Sequence, residues 1–336
     1  MRVTRVDVAK RAGVSTATVS YALNNPEKIS PKTREKVMEA IKELDYRPDM
    51  VARSMATGKT RQIGIVLEDA SNPFYGKIVR GFESAASEHN YFVNICTSFQ
   101  NLDDYFDNFI ARNLDGVFVA ALPHKFQVEK LYELVDKGIK VVNSGNVEVD
   151  LRRVASIEND HIDAMHQAME YLYSLGHREI AYLSALGKND SYDLRCIGYR
   201  KMIEELKLSC GDSLLIDGSY PYVTGAKEGY GEAKKLLALG RKFTAVICSN
   251  DLVAFGTMKA FTEAGLKIPE DVSVIGFDGI ELGEYYQPSL TTMALDQYQF
   301  GRKAFEILYS YMKHGTVGYY KNNLKLIKRD STGICR

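Results

Sequence analysis

From Ile63 onward the chain alternates between short β-branched runs and amphipathic helical stretches, and this alternation limits the possible fold more than any other feature. Strands separated by helices do not pair as hairpins. They pair in parallel, with each helix crossing back over a face of the sheet. The pattern predicts strands over Ile63–Leu67, Phe92–Thr97, Val117–Ala121 and Lys140–Asn143, with helices Phe74–His89, Asp103–Arg112 and Gln127–Lys137 between them. A second set opens with strand Val154–Ile157 and continues through Ile180–Ser184, Leu214–Asp217, Ala245–Ser249 and Val272–Phe277. Its helices are His161–Leu175, Leu194–Leu206, Thr224–Leu239 and Val253–Ala264, and Gln299–Lys313 is the last helix. The expected class is α/β: two doubly wound parallel sheets facing one another across a cleft. Ligands in such sheets bind outside the carboxyl ends of the strands, so the residues that follow each strand are the ones to inspect. No GxGxxG follows any strand, which argues against a dinucleotide, and no cofactor is expected.

The 336 residues suit two or three domains, and with 45% apolar and 26% charged residues a sizeable core is available. No run is long and apolar enough for a membrane span, and the N-terminus has no apolar segment resembling a secretion signal. The five cysteines, Cys96, Cys196, Cys210, Cys248 and Cys335, never fall in CxxC spacing and read as reduced thiols of a cytoplasmic protein. The histidines form no HExxH, so no metal is expected. The net charge is zero, but residues 1–61 carry +6 and the remainder −6. A basic segment attached to an acidic body is the charge signature of a nucleic-acid module.

That basic segment has its own pattern. A short amphipathic stretch, Val6–Ala12, runs into Gly13, which suits a left-handed helix end, and Ser15 is a good N-cap for a second helix. On that helix Thr18, Val19, Ala22 and Leu23 share one arc, and Thr16, Ala17, Ser20, Tyr21 and Asn24 the other. An apolar back and a small, polar front suit a helix-turn-helix whose second helix enters the major groove. Ser30 and Pro31 open a third helix, with Val37, Ala40, Ile41 and Leu44 closing a small core. After Tyr46-Arg47-Pro48, Asp49 can cap a short helix over Met50–Thr57, stopped by Gly58 and too short to be stable alone in water. Thr57-Gly58-Lys59-Thr60 is not a P-loop, because Arg53 stands where that motif needs its first glycine and the stretch precedes its strand.

Asp7-Val8-Ala9, Ala12-Gly13-Val14-Ser15, Thr18-Val19-Ser20 and Leu23-Asn24 closely resemble the N-terminal signature of the LacI family of bacterial transcription regulators. The stretches SNPFYGKIVRGFESAASEHNY, GYRKMIEEL, AVICSNDLVAFGTMKAFTEAGLKIPEDVSVIGFDG and PSLTTM resemble the family's effector-binding core, which shares its fold with periplasmic sugar-binding proteins. The resemblance implies a helix-turn-helix domain over 1–47, a hinge over 48–61 and a core over 62–336. The core would divide approximately into 62–155 with 292–318 and 156–291 with 319–336. It implies three crossings between subdomains, with the C-terminal helix returning to the first. It places DNA contacts at Thr4, Ser15, Thr16, Ala17, Thr18, Ser20, Tyr21 and Asn24, with Ala52 permitting close helix approach and Met55 as a minor-groove wedge where the family usually has Leu.

Effector contacts by the same resemblance are Asn72, Phe74, Tyr75, Arg195, Tyr220, Asn250 and Asp278. The aromatic faces can stack on a ring, and the arginine fork can hold two acceptors. Asn250 could equally be a helix cap, Phe74 subdomain core, Arg195 a surface ion-pair partner and Asp278 a turn residue. Tyr21 stands where many members have Arg, Gly145-Asn146 where Asp-Arg is common, and GFDG where GFDD is frequent; these departures leave operator and effector identity open. The expectation is a non-enzymatic repressor, a homodimer on pseudo-palindromic double-stranded operator DNA, switched by a small molecule. A sugar is the first choice of effector, and a nucleobase or a partner protein the alternative. A solute-binding transport protein fits the core but not the basic N-terminal module.

Overall fold

The computed structural model describes residues 3–47, 54, 58–97, 101–120, 122, 126–145, 147–184, 193–218 and 223–336. The chain divides into two compact units, residues 1–60 and 61–336.

In the first unit, helices α1 (Arg5–Ala12), α2 (Thr16–Asn24) and α3 (Pro31–Glu43) are set by local chemistry. Thr4 and Asp7 form a reciprocal capping box at the start of α1. Gly13, at φ +67°, ends it in the left-handed region, and the Val14 N–H returns to the Ala9 carbonyl at 3.0 Å. The Ser15 and Ser30 hydroxyls accept from the Thr18 and Thr33 N–H groups at 3.1 and 3.2 Å. Val8, Ala9, Val19, Ala22, Val37, Ala40 and Tyr46 form the buried core, with Leu23, Ile41 and Leu44 against it. Thr18, placed on the apolar arc by periodicity, is only half-buried and its hydroxyl joins the Ser15 cap at 2.9 Å.

The second unit holds two six-stranded sheets. The first runs in the order β11 (Tyr319–Asn322), β5 (Ala155–Asn159), β4 (Lys140–Asn143), β3 (Gly116–Val119), β1 (Gln62–Val66), β2 (Phe92–Cys96), all parallel. The second runs β12 (Lys325–Ile327), β10 (Thr291–Ala294), β9 (Ser273–Asp278), β8 (Ala245–Cys248), β6 (Ile180–Leu183), β7 (Leu215–Ile216); β12 is antiparallel to β10. Helices α4 (Pro73–Glu88), α5 (Leu102–Ala111), α6 (Glu129–Asp136) and α12 (Gln297–His314) cover the first sheet. Helices α7 (His161–Ser174), α8 (Leu194–Glu205), α9 (Ala226–Ala238) and α10 (Asp251–Glu263) cover the second, and α11 (Leu282–Tyr285) follows β9.

The chain passes between the sheets after β5, after β10 and after β11, and α12 packs in the first subdomain. The expected subdomain limits move at each crossing. The strand expected to open the second set at Val154–Ile157 is β5, which pairs with β4 in the first sheet; β10 belongs to the second sheet and β11 to the first. Alternation along a chain reports that a strand exists, whereas sheet membership depends on where its connection lands. β10, a four-residue strand just past Pro288, had no pattern long enough to announce it.

Two helix pairs meet backbone to backbone. A Cβ on Gly81 would stand 2.0 Å from the Tyr298 carbonyl oxygen, and one on Gly301 would stand 2.0 Å from that of Ile78, so α4 and α12 can cross only with glycine at both positions. Gly229 on α9 and Gly256 on α10 form a second such crossing, with a Cβ 2.2 Å from the Val253 oxygen and 1.9 Å from the Ala226 oxygen. No described helix is long and apolar enough to cross a membrane, and among the described residues no His/Cys/Asp/Glu group could hold a metal ion.

Candidate functional site

Two sets of side chains stand out, one in each unit. On α2, Thr16, Ala17 and Tyr21 are exposed, and Ser20 is half-buried. Tyr21 is 43% exposed and the Lys28 ammonium lies 5.8 Å from its ring centre, so ring and cation form one protruding feature. The Thr16 and Tyr21 hydroxyls make no hydrogen bond among the described residues and remain available. Ser15, Thr18 and Thr4 are committed locally: the first two bond each other, and the Thr4 hydroxyl donates to Asp7 Oδ2 at 2.6 Å. Asn24 closes α2. Ala52 and Met55 lie outside the described residues, as does Tyr220 of the second set.

The second set gathers where the strands of the two sheets end. Asn72 follows β1 and caps α4, its Oδ1 accepting the Phe74 N–H at 3.0 Å. Phe74 packs against the core clusters of both subdomains. Tyr75 is buried beside it, edge-on at 5.2 Å between ring centres, and its hydroxyl points to Glu68 Oε2 at 3.4 Å. From the second sheet comes Arg195, in the first turn of α8. Asp193 caps that helix, accepting from the Cys196 N–H at 3.0 Å and the Ser184 hydroxyl at 2.6 Å. The Arg195 guanidinium lies 5.4 Å from the Phe277 ring centre, and its buried Nε has no hydrogen-bond partner among the described residues. Asp278 ends β9 at φ +107°, a strained backbone for a non-glycine residue. Its carbonyl oxygen holds the strain in place by accepting from the Gln297 amide at 2.6 Å.

The charges are coupled. Burial pushes the Asp278 carboxyl well up, Asp251 pushes it further, and Arg195 opposes. Asp251 is fully buried; it accepts from the Thr292 hydroxyl at 2.6 Å and from the Ile280 N–H at 2.8 Å, bracing the turn that follows Asp278. The Tyr75 hydroxyl feels Glu68, Asp278 and Arg195 together, which places groups from both sheets around one point. His161 begins α7 with its ring centre 6.4 Å from that of Phe277. Burial, then the Arg195 charge, drives its pKa well below the usual histidine value, and its Nδ1 is buried without a partner among the described residues. An exposed ion pair from Lys77 Nζ on α4 to Glu281 Oε2, at 3.0 Å, also joins the two subdomains.

Of the residues singled out from sequence, Asn72, Phe74, Tyr75, Arg195 and Asp278 come together here. Asn250 sits between β8 and α10 with its amide engaged: Oδ1 accepts the Val253 N–H at 2.8 Å and Nδ2 donates to the Thr224 carbonyl at 2.9 Å. Glu68, His161 and Asp251 were not anticipated. Each lies within a few residues of a strand end, so the rule that found Asp278 could have found them.

Residues 5–49 match the model described as bacterial regulatory proteins, lacI family, and residues 169–332 match a periplasmic binding protein-like domain. The chain is 34% identical to the HTH-type transcriptional repressor PurR of Vibrio cholerae over 91% of its own length and 90% of that protein's. It is 33% identical to the HTH-type transcriptional repressor CytR of Escherichia coli over 98% and 96% respectively. Among solved structures, the Lac repressor dimer bound to operator and the anti-inducer ONPF superposes with a TM-score of 0.84 at 27% identity, covering 99% of this chain and all of that one.

Proposed function

The chain belongs to the LacI family of bacterial regulatory proteins and is a DNA-binding transcriptional regulator with an effector-binding core, and on that premise we propose that it is a repressor whose affinity for its operator is set by a sugar bound between the two sheets. The observation that carries the effector half is the convergence of Phe74 and Tyr75 from one sheet with Arg195 and Asp278 from the other. A ligand touching all four binds one relative arrangement of the subdomains better than another, and that difference is all it needs to shift a population.

On the DNA side, Thr16, Ala17, Ser20 and Tyr21 of α2 face the major groove, and Ser15, Thr18 and Thr4 hold their helices in register. Because one reading helix covers one half-site, the protein acts as a homodimer on a pseudo-palindromic site. Met55 enters the minor groove at its centre, with Ala52 allowing the paired hinges to approach. This front carries no arginine, so phosphate anchoring, half-site spacing and DNA deformability supply much of the selectivity.

A gel-shift titration of the full chain on DNA from upstream of its own gene, with and without a panel of sugars and nucleosides, tests the proposal. A specific complex whose affinity changes with one panel member is the expected result. A complex indifferent to every ligand that calorimetry shows to bind would overturn effector control.

A further inference from the structure

Arg61, the residue at which the chain enters the core, is held by both its backbone and its side chain. It directly precedes β1 at φ +55°, a left-handed backbone that is strained for a non-glycine residue. Its N–H donates to Asp115 Oδ2 at 3.1 Å, its carbonyl accepts the Phe92 N–H at 2.9 Å, and its guanidinium donates to the His89 carbonyl at 3.0 Å. The same guanidinium lies 5.9 Å from the Tyr91 ring centre. His89 is in turn gripped by α12: its ring stacks on Tyr309 at 4.1 Å between centres and lies 5.6 Å from that of Phe305.

Both helices that frame this clamp begin at the cleft. α4 runs from Phe74 and Tyr75 to Glu88, immediately before His89, and α12 runs from Gln297 past Tyr309. At the cleft end they touch the second subdomain: Phe74 packs on its core, and the Gln297 amide donates to the Asp278 carbonyl. Between their ends the helices are locked together. Gly81 and Gly301 let the two backbones meet, the Tyr298 hydroxyl donates to Ser84 Oγ at 3.2 Å, and Arg302 makes two bonds to the Glu88 carboxylate at 2.8 and 3.0 Å. Gln297 and Tyr309 lie about 18 Å apart along the α12 axis. A close-packed pair of this kind transmits a displacement rather than absorbing it. We infer that α4 and α12 form a rigid block that carries a shift of the second subdomain to Arg61, and that Arg61 is the positioning residue through which the core sets DNA affinity. This rests on the core controlling DNA binding, and it adds a route and a residue to that control.

Affinity of the full chain for a duplex that it selects from a random-sequence pool, measured across a range of salt, tests it. Arg61→Met keeps the aliphatic stem and removes the guanidinium. It should weaken binding about tenfold with an unchanged slope of log affinity against log salt, whereas loss of a direct phosphate contact would flatten that slope by about 0.9. The melting temperature should move by no more than roughly 2 °C. Arg61→Lys, which restores a donor for the His89 carbonyl, should recover most of the loss. Tyr309→Leu removes the stack on His89 without touching the junction and should reproduce the loss, again with the slope unchanged. Gln297→Leu, at the cleft end of the block, should change affinity at least about fivefold alone and less than about twofold in the Arg61→Met background, because changes coupled through one element do not add. A flattened slope for Arg61→Met overturns the inference, since Arg61 would then be a DNA contact. Equal effects of Gln297→Leu with and without Arg61→Met also overturn it, while core control stands by another route. If neither these core variants nor any ligand that calorimetry shows to bind moves the affinity, effector control has itself failed, and the inference falls with it.

Discussion

Glu232 offers a stability test that is independent of any ligand. It lies on α9, 5% exposed, with its Oε2 buried and without a partner among the described residues. Burial raises its pKa from 4.5 to about 8; Lys235 opposes the rise, and Glu228 and Asp217 add to it. An acid raised in this way holds its proton in the folded state while the unfolded chain has already released it. Its contribution to stability is therefore fully present below about pH 4.5 and is lost as pH rises to about 8. At pH 7 the loss amounts to about 3 kcal/mol, taking 1.36 kcal/mol per unit of displacement. Glu232→Gln keeps the shape and removes the titration. The variant should match the parent near pH 4.5 and exceed it at pH 7–8, with a melting temperature higher by on the order of 5 °C for a core of this size. Scanning calorimetry of both proteins across this range checks the expectation. Asp251 is also raised by burial and steepens the parent's pH dependence, but it is common to both proteins and cancels in the difference. A melting difference that stays flat with pH, or a variant less stable at pH 8, would refute the assignment of a buried, protonated Glu232.

Arg195→Ala should weaken effector binding more than about tenfold in calorimetry while sparing the unliganded melting temperature, since its Nε has no partner among the described residues to lose. Equal affinity would remove Arg195 from the site. Removing residues 1–61 should leave a folded core that still binds effector but no longer shifts operator DNA; a retained shift would contradict the division of labour. Gly301→Ala would push a methyl to 2.0 Å from the Ile78 oxygen and part α4 from α12, a loss on the order of 3 kcal/mol, read as a lower melting temperature of the core. Met55→Asp should abolish specific operator binding while leaving weak, salt-sensitive binding to any duplex, and unchanged specific affinity would exclude the wedge.

What could be read from the sequence follows the range of the interactions involved. Gly13, Ser15, Ser30 and Pro31 act through their own and adjacent turns, so the three N-terminal helices were legible almost to the residue. The strands of the core were legible as strands because burial on both faces leaves β-branched runs, as Ile63 and Ile65 on one face of β1 and Val66 on the other illustrate. Which sheet each strand joins was not legible, because β5 and β11 are placed by partners and crossings rather than by their own residues. The cleft follows the same division. Inspecting strand ends picked out Phe74, Tyr75 and Asp278, but Asn250, equally well placed along the chain, has its Oδ1 engaged in capping α10 and its Nδ2 bonded to the Thr224 carbonyl ahead of α9. Glu68 and His161 gain their meaning only from what faces them: Tyr75 for one, Arg195 and Phe277 for the other. Position along a strand nominates a residue. Whether its polar atoms are left without a partner among the described residues once the fold has formed decides whether it is free to meet a ligand, and by that criterion Arg195 and His161 define the cleft more sharply than their places in the sequence did.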